Sequence, residues 1–173
     1  MCLVQVVSES SKLTSLQKLL ETLQRREVQQ REKSRVLVFV NRIETADELV
    51  RQLKADIGQY VAPLHGKLIQ STRDAHLNAF RSGKVRVLVS TDVAARGIHV
   101  NNLPIVVNYD FPISIEQYAH RIGRTGRQGK QGMAYTLIAP NTETELIRQL
   151  VDVLEETKQM ITPKLKELVN KDL

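Results

Sequence analysis

One run constrains the fold more than any other: Val36-Leu37-Val38-Phe39-Val40 is apolar at every position. A strand with one face in water alternates apolar and polar residues. A continuous run must be buried on both faces, which is the condition of an interior strand in a parallel sheet. Segments 85–89 and 105–109 read the same way, with weaker strands expected at 3–7, 59–64 and 133–138. Between them the apolar period lengthens. Ala46, Leu49, Val50 and Leu53 form one helical stripe, and Ile115, Tyr118, Ala119 and Ile122 form another. Leu13, Leu16, Leu19, Leu20 and Leu23 mark an N-terminal helix, and Leu146, Ile147, Leu150, Val153 and Leu154 a late one. Pro163 opens a last short helix through Val169. Alternating strands and helices predict an α/β domain, with a mainly parallel central sheet covered by helices on both faces. The charge-dense stretch 25–33 reads as a helix end followed by an exposed loop, so all of 1–173 is expected to be a single domain.

Charge narrows the partners. Lys and Arg total 25 against 19 Asp and Glu, a net charge of +6 with a pI near 9.6. That balance suits a polyanion without naming one. No acidic residue falls between Glu116 and Glu143, while Arg121, Arg124, Arg127 and Lys130 do, so an outward positive field suited to phosphate is expected there. No apolar run approaches the ~18 residues of a membrane helix, and no membrane partner is expected. The start, Met1-Cys2-Leu3-Val4-Gln5, lacks the basic and apolar regions of a signal peptide. A single cysteine, Cys2, excludes an internal disulfide and a cysteine-based metal site. The expected location is therefore intracellular, nucleus or cytoplasm.

The strongest chemical signal is His120-Arg121-Ile122-Gly123-Arg124-Thr125-Gly126-Arg127. Ser114, three before Gln117, makes a capping box that starts the preceding helix, so His120 and Arg121 leave its last turn. Arg124 and Arg127 then sit in a loop broken by glycines, whose backbone can approach a ligand closely. Two planar guanidiniums on one loop suit the oxygens of a transferring phosphoryl group better than ammonium groups would. The string resembles motif VI of the DEAD-box ATP-dependent RNA helicases almost letter for letter. Residues 36–41 resemble motif IV. His65-Gly66 with Gln70 and Arg73 resembles the following RNA-contacting segment. Ser90-Thr91-Asp92-Val93-Ala94-Ala95-Arg96-Gly97-Ile98 resembles motif V, at a strand end where α/β sheets bind ligands. The four motifs fall in order, and the resemblance runs from about residue 3 to about residue 169.

The resemblance implies the C-terminal RecA-like lobe of such a helicase, a Rossmann-type three-layer domain. It implies that Arg124 and Arg127 are arginine fingers reaching the ATP γ-phosphate from across a cleft, and that Gly97 approaches the ribose. Gln70, Arg73 and Thr91 match contacts to the RNA backbone. His120 and Arg121 match residues that organise the contact between lobes, and Asp92 and Arg96 match residues that order motif V. Ser71 with Asp74 also reads as a plain helix cap, and His65 as a turn residue bonded locally. At position 99 the family carries an acidic residue on the ribose; here it is His99.

A complete ATPase of this kind also needs a phosphate loop, G-x-x-x-x-G-K-[ST], and an acidic Mg²⁺ site. Gly66-Lys67, Gly83-Lys84 and Gly129-Lys130 are followed by Leu68, Val85 and Gln131, so none completes the loop. Leu150-Val151-Asp152-Val153-Leu154-Glu155-Glu156 imitates a strand ending in acids, but its apolar period is helical. The chain is thus expected to hold half of an active site, monomeric and inactive alone. ATP and Mg²⁺ are the expected cofactors, with the metal held by an N-terminal lobe. RNA, that lobe and protein adaptors are the expected partners. A stand-alone binding module and a DNA-translocating lobe remain the rival readings.

Overall fold

The computed structural model describes residues 1–30, 34–96, 103–126 and 131–170. Six strands form one sheet: β1 (Cys2–Val6), β2 (Val36–Phe39), β3 (Val61–Leu64), β4 (Val87–Ser90), β5 (Ile105–Asn108) and β6 (Met133–Ile138). Their order across the sheet is β1-β6-β5-β2-β4-β3, and every pairing is parallel. Helices α1 (Lys12–Gln30), α2 (Ile43–Ile57), α3 (Gln70–Arg81), α4 (Asp92–Arg96), α5 (Ile115–Ile122), α6 (Thr144–Glu156) and α7 (Pro163–Asn170) supply the crossovers and the C-terminal cover.

The apolar run works as its pattern requires. Val36, Val38 and Val40 turn to one face, where they pack with Leu16 and Leu23 of α1 and Ala46, Leu49, Val50 and Leu53 of α2. Leu37 and Phe39 turn to the other, against Phe80, Ala94 and Ala95. Both faces of β2 are thereby closed, and all four of its residues are buried. A third cluster joins Val4 and Ile138 at the β1–β6 edge to Tyr118, Ile147, Leu150, Leu154, Leu165 and Leu168. The acid-tipped segment at 150–156 lies within α6, in keeping with its helical period.

Strand ends differ from expectation by a residue or two. A 3-10 turn at Gly58–Tyr60 precedes β3, where Gly58 adopts φ 60, so the strand begins only at Val61. β4 begins at Val87; just before it, Arg86 donates its backbone N–H to Tyr60 O, and its side chain pairs with Glu27. With β2 central, the C-terminal ends of β5, β2 and β4 stand side by side, and Asn41, Thr91, Asp92 and Asp110 follow those ends directly.

Candidate functional site

Helix α5 starts where its sequence says. Ser114 Oγ accepts from the Gln117 N–H at 3.1 Å, and Gln117 Oε1 accepts from the Ile113 N–H at 3.0 Å. The reciprocal bond lands one residue earlier than in a standard capping box. Tyr118 anchors the helix in the core, which leaves His120 exposed in its last turn.

Arg121 points inward. Only 1% of it is exposed, and its guanidinium lies 5.2 Å from the centre of the Phe39 ring. Nε donates to Asp92 Oδ1 at 2.7 Å and Nη2 to Asp92 Oδ2 at 2.6 Å, a two-point fork. Nη2 also donates to Asn41 Oδ1 at 2.6 Å, and Nη1 to Asp110 O at 2.8 Å and Asn108 Oδ1 at 3.4 Å. Asn108 passes the network on to Thr136 Oγ1 at 3.1 Å. One side chain thus ties α5 to the ends of β2, β4 and β5. The outward field expected of the 121–130 stretch loses this member, because Asp92 neutralises it beneath the surface.

Arg124 follows within one turn and is held by its backbone. Its N–H donates to Arg121 O at 3.3 Å, and its carbonyl accepts from the Leu103 N–H at 3.1 Å. Thr125 Oγ1 also bonds Leu103 O, so the segment is pinned to the chain entering β5. Gly126 has φ 69, which favours glycine, whereas the C-cap Gly123 at φ −64 is ordinary helical backbone. Gly132 is required for a different reason: a Cβ there would collide with Thr125 Oγ1 and the Gly126 backbone. An open cleft of about 280 Å³ is lined by Asp92, Arg96, Ile113, His120, Arg121 and Arg124, among others. Arg96 and His120 expose their side chains there.

The remaining sequence-predicted residues lie at the adjoining strand ends. Gln70 and Arg73 open α3 after β3, and Thr91 follows β4, the neighbour of β3. Gln70 Nε2 donates to Asp74 Oδ1 at 2.8 Å. The helix therefore begins at Gln70 with Ile69 as its N-cap and no side-chain cap bond, rather than being capped by Ser71. Arg73 Nε is shut from solvent with no hydrogen-bond partner among the described residues. Thr91 is only 7% exposed, and its N–H donates to Leu64 O at 3.3 Å. His65, 3% exposed, does bond locally: Nδ1 accepts from the Lys67 N–H at 3.3 Å, which leaves Nε2 to donate to Asp47 Oδ1 at 2.7 Å. Gly97, His99 and Arg127 lie outside the described residues.

Asn41, Asn108, Asp110 and Lys12 were not singled out from the sequence as site residues. Lys12, 5% exposed, pairs with Asp110 Oδ1 at 3.3 Å and Glu9 Oε1 at 3.0 Å. Asp110 Oδ2 accepts from the Asn41 N–H at 2.9 Å. Among the described residues no group of three or more His, Cys, Asp or Glu side chains is placed to hold a metal ion, and no helix is long and apolar enough to cross a membrane.

Comparison with known proteins gives this arrangement its relatives. The family model for the helicase conserved C-terminal domain matches residues 11–129. DEAD-box ATP-dependent RNA helicase 20 of Arabidopsis thaliana is 42% identical over 163 residues, covering 94% of this chain and 31% of that protein. Probable ATP-dependent RNA helicase DDX17 of Homo sapiens is 41% identical over 168 residues, covering 97% of this chain and 22% of that protein. The chain thus spans less than a third of the length of these curated relatives. The solved yeast DEAD-box splicing factor Prp28 superimposes with a TM-score of 0.86 at 27% identity, over 98% of this chain and 36% of that one. The C-terminal domain of the DEAD-box protein Dbp5 gives 0.71 at 30% identity, over 91% of this chain and 84% of that one. A wholly parallel α/β sheet, the ordered motifs and these matches agree: the chain belongs to the helicase conserved C-terminal domain family, as the RecA-like C-terminal lobe of a DEAD-box RNA helicase.

Proposed function

We propose that this lobe works as the second half of an RNA-dependent ATPase, inactive until an N-terminal lobe closes on it. In that reading Arg124 and Arg127 meet the γ-phosphate of ATP, and Gly97 and His99 approach the ribose. Gln70, Arg73 and Thr91 hold the RNA through its backbone, which reads little sequence. ATP supplies the phosphoryl group whose transfer drives the cycle, and Mg²⁺ belongs to the acidic residues of the other lobe. His120 meets that lobe across the cleft, while Asp92 and Arg96 order motif V. Arg121 acts from beneath, by holding motif VI on motif V.

The observation that carries the reading is the pinned backbone of Arg124 beside the cleft. An arginine stabilises transition-state charge only if its position is fixed before the charge develops. Here the N–H and carbonyl of Arg124 are both bonded, to Arg121 and Leu103. The unpartnered Arg73 Nε supports the RNA side in the same way, since a buried donor without an acceptor suits a phosphate oxygen.

The test uses this lobe joined to its N-terminal lobe. Arg124→Ala should lower RNA-stimulated ATP turnover by on the order of 10³–10⁵ while ATP still binds. RNA should stimulate where DNA of the same sequence does not, and the 173-residue chain alone should show no turnover. An unchanged kcat in Arg124→Ala would reduce that arginine to a surface charge and overturn the reading.

A further inference from the structure

Arg121 donates to one backbone carbonyl, that of Asp110, and the side chain of Asp110 is itself bonded on both oxygens. Oδ1 accepts from Lys12 Nζ at 3.3 Å, where α1 begins, and Oδ2 accepts from the Asn41 N–H at 2.9 Å, between β2 and α2. Its carbonyl accepts from Arg121 Nη1 at 2.8 Å. The same residue donates its own N–H to Phe39 O at 3.3 Å. Three donors from three separate elements therefore converge on one residue in the link between β5 and α5.

The donors are not interchangeable with solvent. Lys12 is 5% exposed and Arg121 1%, and the Asp110 side chain is 18% exposed. With Asp92, they form two cations against two anions at the strand ends, Glu9 lying outside on the surface at 66%. Asn41 closes the circuit. Its N–H goes to Asp110, its Oδ1 accepts from Arg121, and its Nδ2 donates to Phe111 O at 2.9 Å. Neither Lys12 nor Asp110 touches the cleft that carries Arg96, His120 and Arg124.

We propose that Asp110, fixed by Lys12, is a positioning residue for the phosphate-facing arginine: it sets where Arg121 sits, and through Arg121 where Arg124 is presented. The inference rests on the function proposed above. A carboxylate offers acceptors on both oxygens, whereas a carboxamide offers one acceptor and one donor. Asp110→Asn must therefore turn an N–H towards either the Lys12 ammonium or the Asn41 N–H. Whichever donor loses its acceptor, the 110 backbone shifts, and the Arg121 carbonyl that receives the Arg124 N–H shifts with it. Displacement of about 1 Å at a catalytic group is enough to cost on the order of 10²-fold in rate.

Asp110→Asn, Lys12→Met, Arg124→Ala and the pair Asp110→Asn with Arg124→Ala are compared in this lobe joined to its N-terminal lobe. Turnover is expressed per folded molecule and measured well below each melting temperature. Asp110→Asn and Lys12→Met should each lower kcat by about 10- to 100-fold, with KM for ATP held within about twofold. On top of Arg124→Ala, Asp110→Asn should lower kcat no further, because it acts through that arginine. A residue that merely holds the fold would lower the melting temperature and leave kcat per folded molecule unchanged. That result, or a full multiplicative loss in the double variant, overturns the proposal while leaving the arginine's role intact. If Arg124→Ala itself leaves kcat unchanged, the proposed function falls instead. Should Asp110→Asn not fold, Lys12→Met carries the same test alone and with Arg124→Ala.

Discussion

Replacing Arg121 by methionine tests the buried network directly. Methionine fills much of the aliphatic volume, so the loss is chiefly of five hydrogen bonds: two to Asp92 and one each to Asn41, Asp110 O and Asn108. Breaking a buried pair by removing one partner costs about 3–5 kcal/mol, because the other charge is left uncompensated. The Asp92 side chain is 17% exposed, so water relieves part of that penalty and the lower end, about 3 kcal/mol, is expected. For a lobe of this size, each kcal/mol lowers Tm by about 2–4 °C, giving a drop of about 6–12 °C. The chain contains no tryptophan, so far-UV circular dichroism during heating and urea titration is the appropriate readout. Removing Asp92 as well, as Arg121→Met with Asp92→Leu, should recover most of the loss, since an apolar pair strands no charge. A single variant that loses under about 1 kcal/mol would refute the argument. So would a double variant no more stable than the single.

Two further outcomes follow from named side chains. Burial, helped by the negative charges of Asp110 and Glu9, pushes Tyr109 up to about 12 from its ordinary 10.0, and burial also raises Tyr118 and Tyr135. Folded values above the unfolded one mean stability fully present below about pH 10 and lost as the pH rises towards 12; a urea midpoint flat through that window would refute the assignment. At the ribose position, His99→Asp in the two-lobed protein should tighten ATP several-fold, because a hydrogen bond to a charged acceptor contributes about 1.5–3 kcal/mol against about 0.5–1.5 for a neutral one; equal ATP affinities would place the ribose elsewhere.

Most of the layer architecture was legible because it is written locally. The run at 36–40 predicts a strand closed on both faces, and its alternate residues do pack on opposite sides of the sheet. Ser114 and Gln117 begin α5 as their spacing requires. The interior of the site was not legible. Asn41 and Arg121 are 80 residues apart in sequence, and Lys12 and Asp110 are 98 apart. No local period reports such a partnership, and a lone polar residue after an apolar strand reads simply as its end. Arg121 was therefore counted with the outward charges, although its position beside Tyr118 in a short amphipathic helix directs it inward. The requirement for Gly132, close approach to Thr125 and Gly126, exists only in three dimensions.

A buried ion pair is a poor way to stabilise a domain, since apolar side chains of similar volume serve as well or better. Its presence at the ends of β5, β2 and β4 therefore calls for a different reason, and direction provides one. Apolar burial would hold α5 against the sheet, but the hydrophobic effect is non-directional and aims no particular atom. A guanidinium forked onto Asp92 and bonded to Asn41 and Asp110 fixes rotation and height together, since each bond weakens steeply when misaligned. The Arg124 backbone inherits that setting through its bond to Arg121 O. Asp92 directly follows Thr91 at the end of β4, so in the proposed function a pull by RNA on Thr91 reaches Asp92 through one peptide unit. Asp92 is bonded in turn to Arg121, whose carbonyl holds the Arg124 N–H. An apolar core would set neither the rotation nor the height of α5 through bonds of fixed direction.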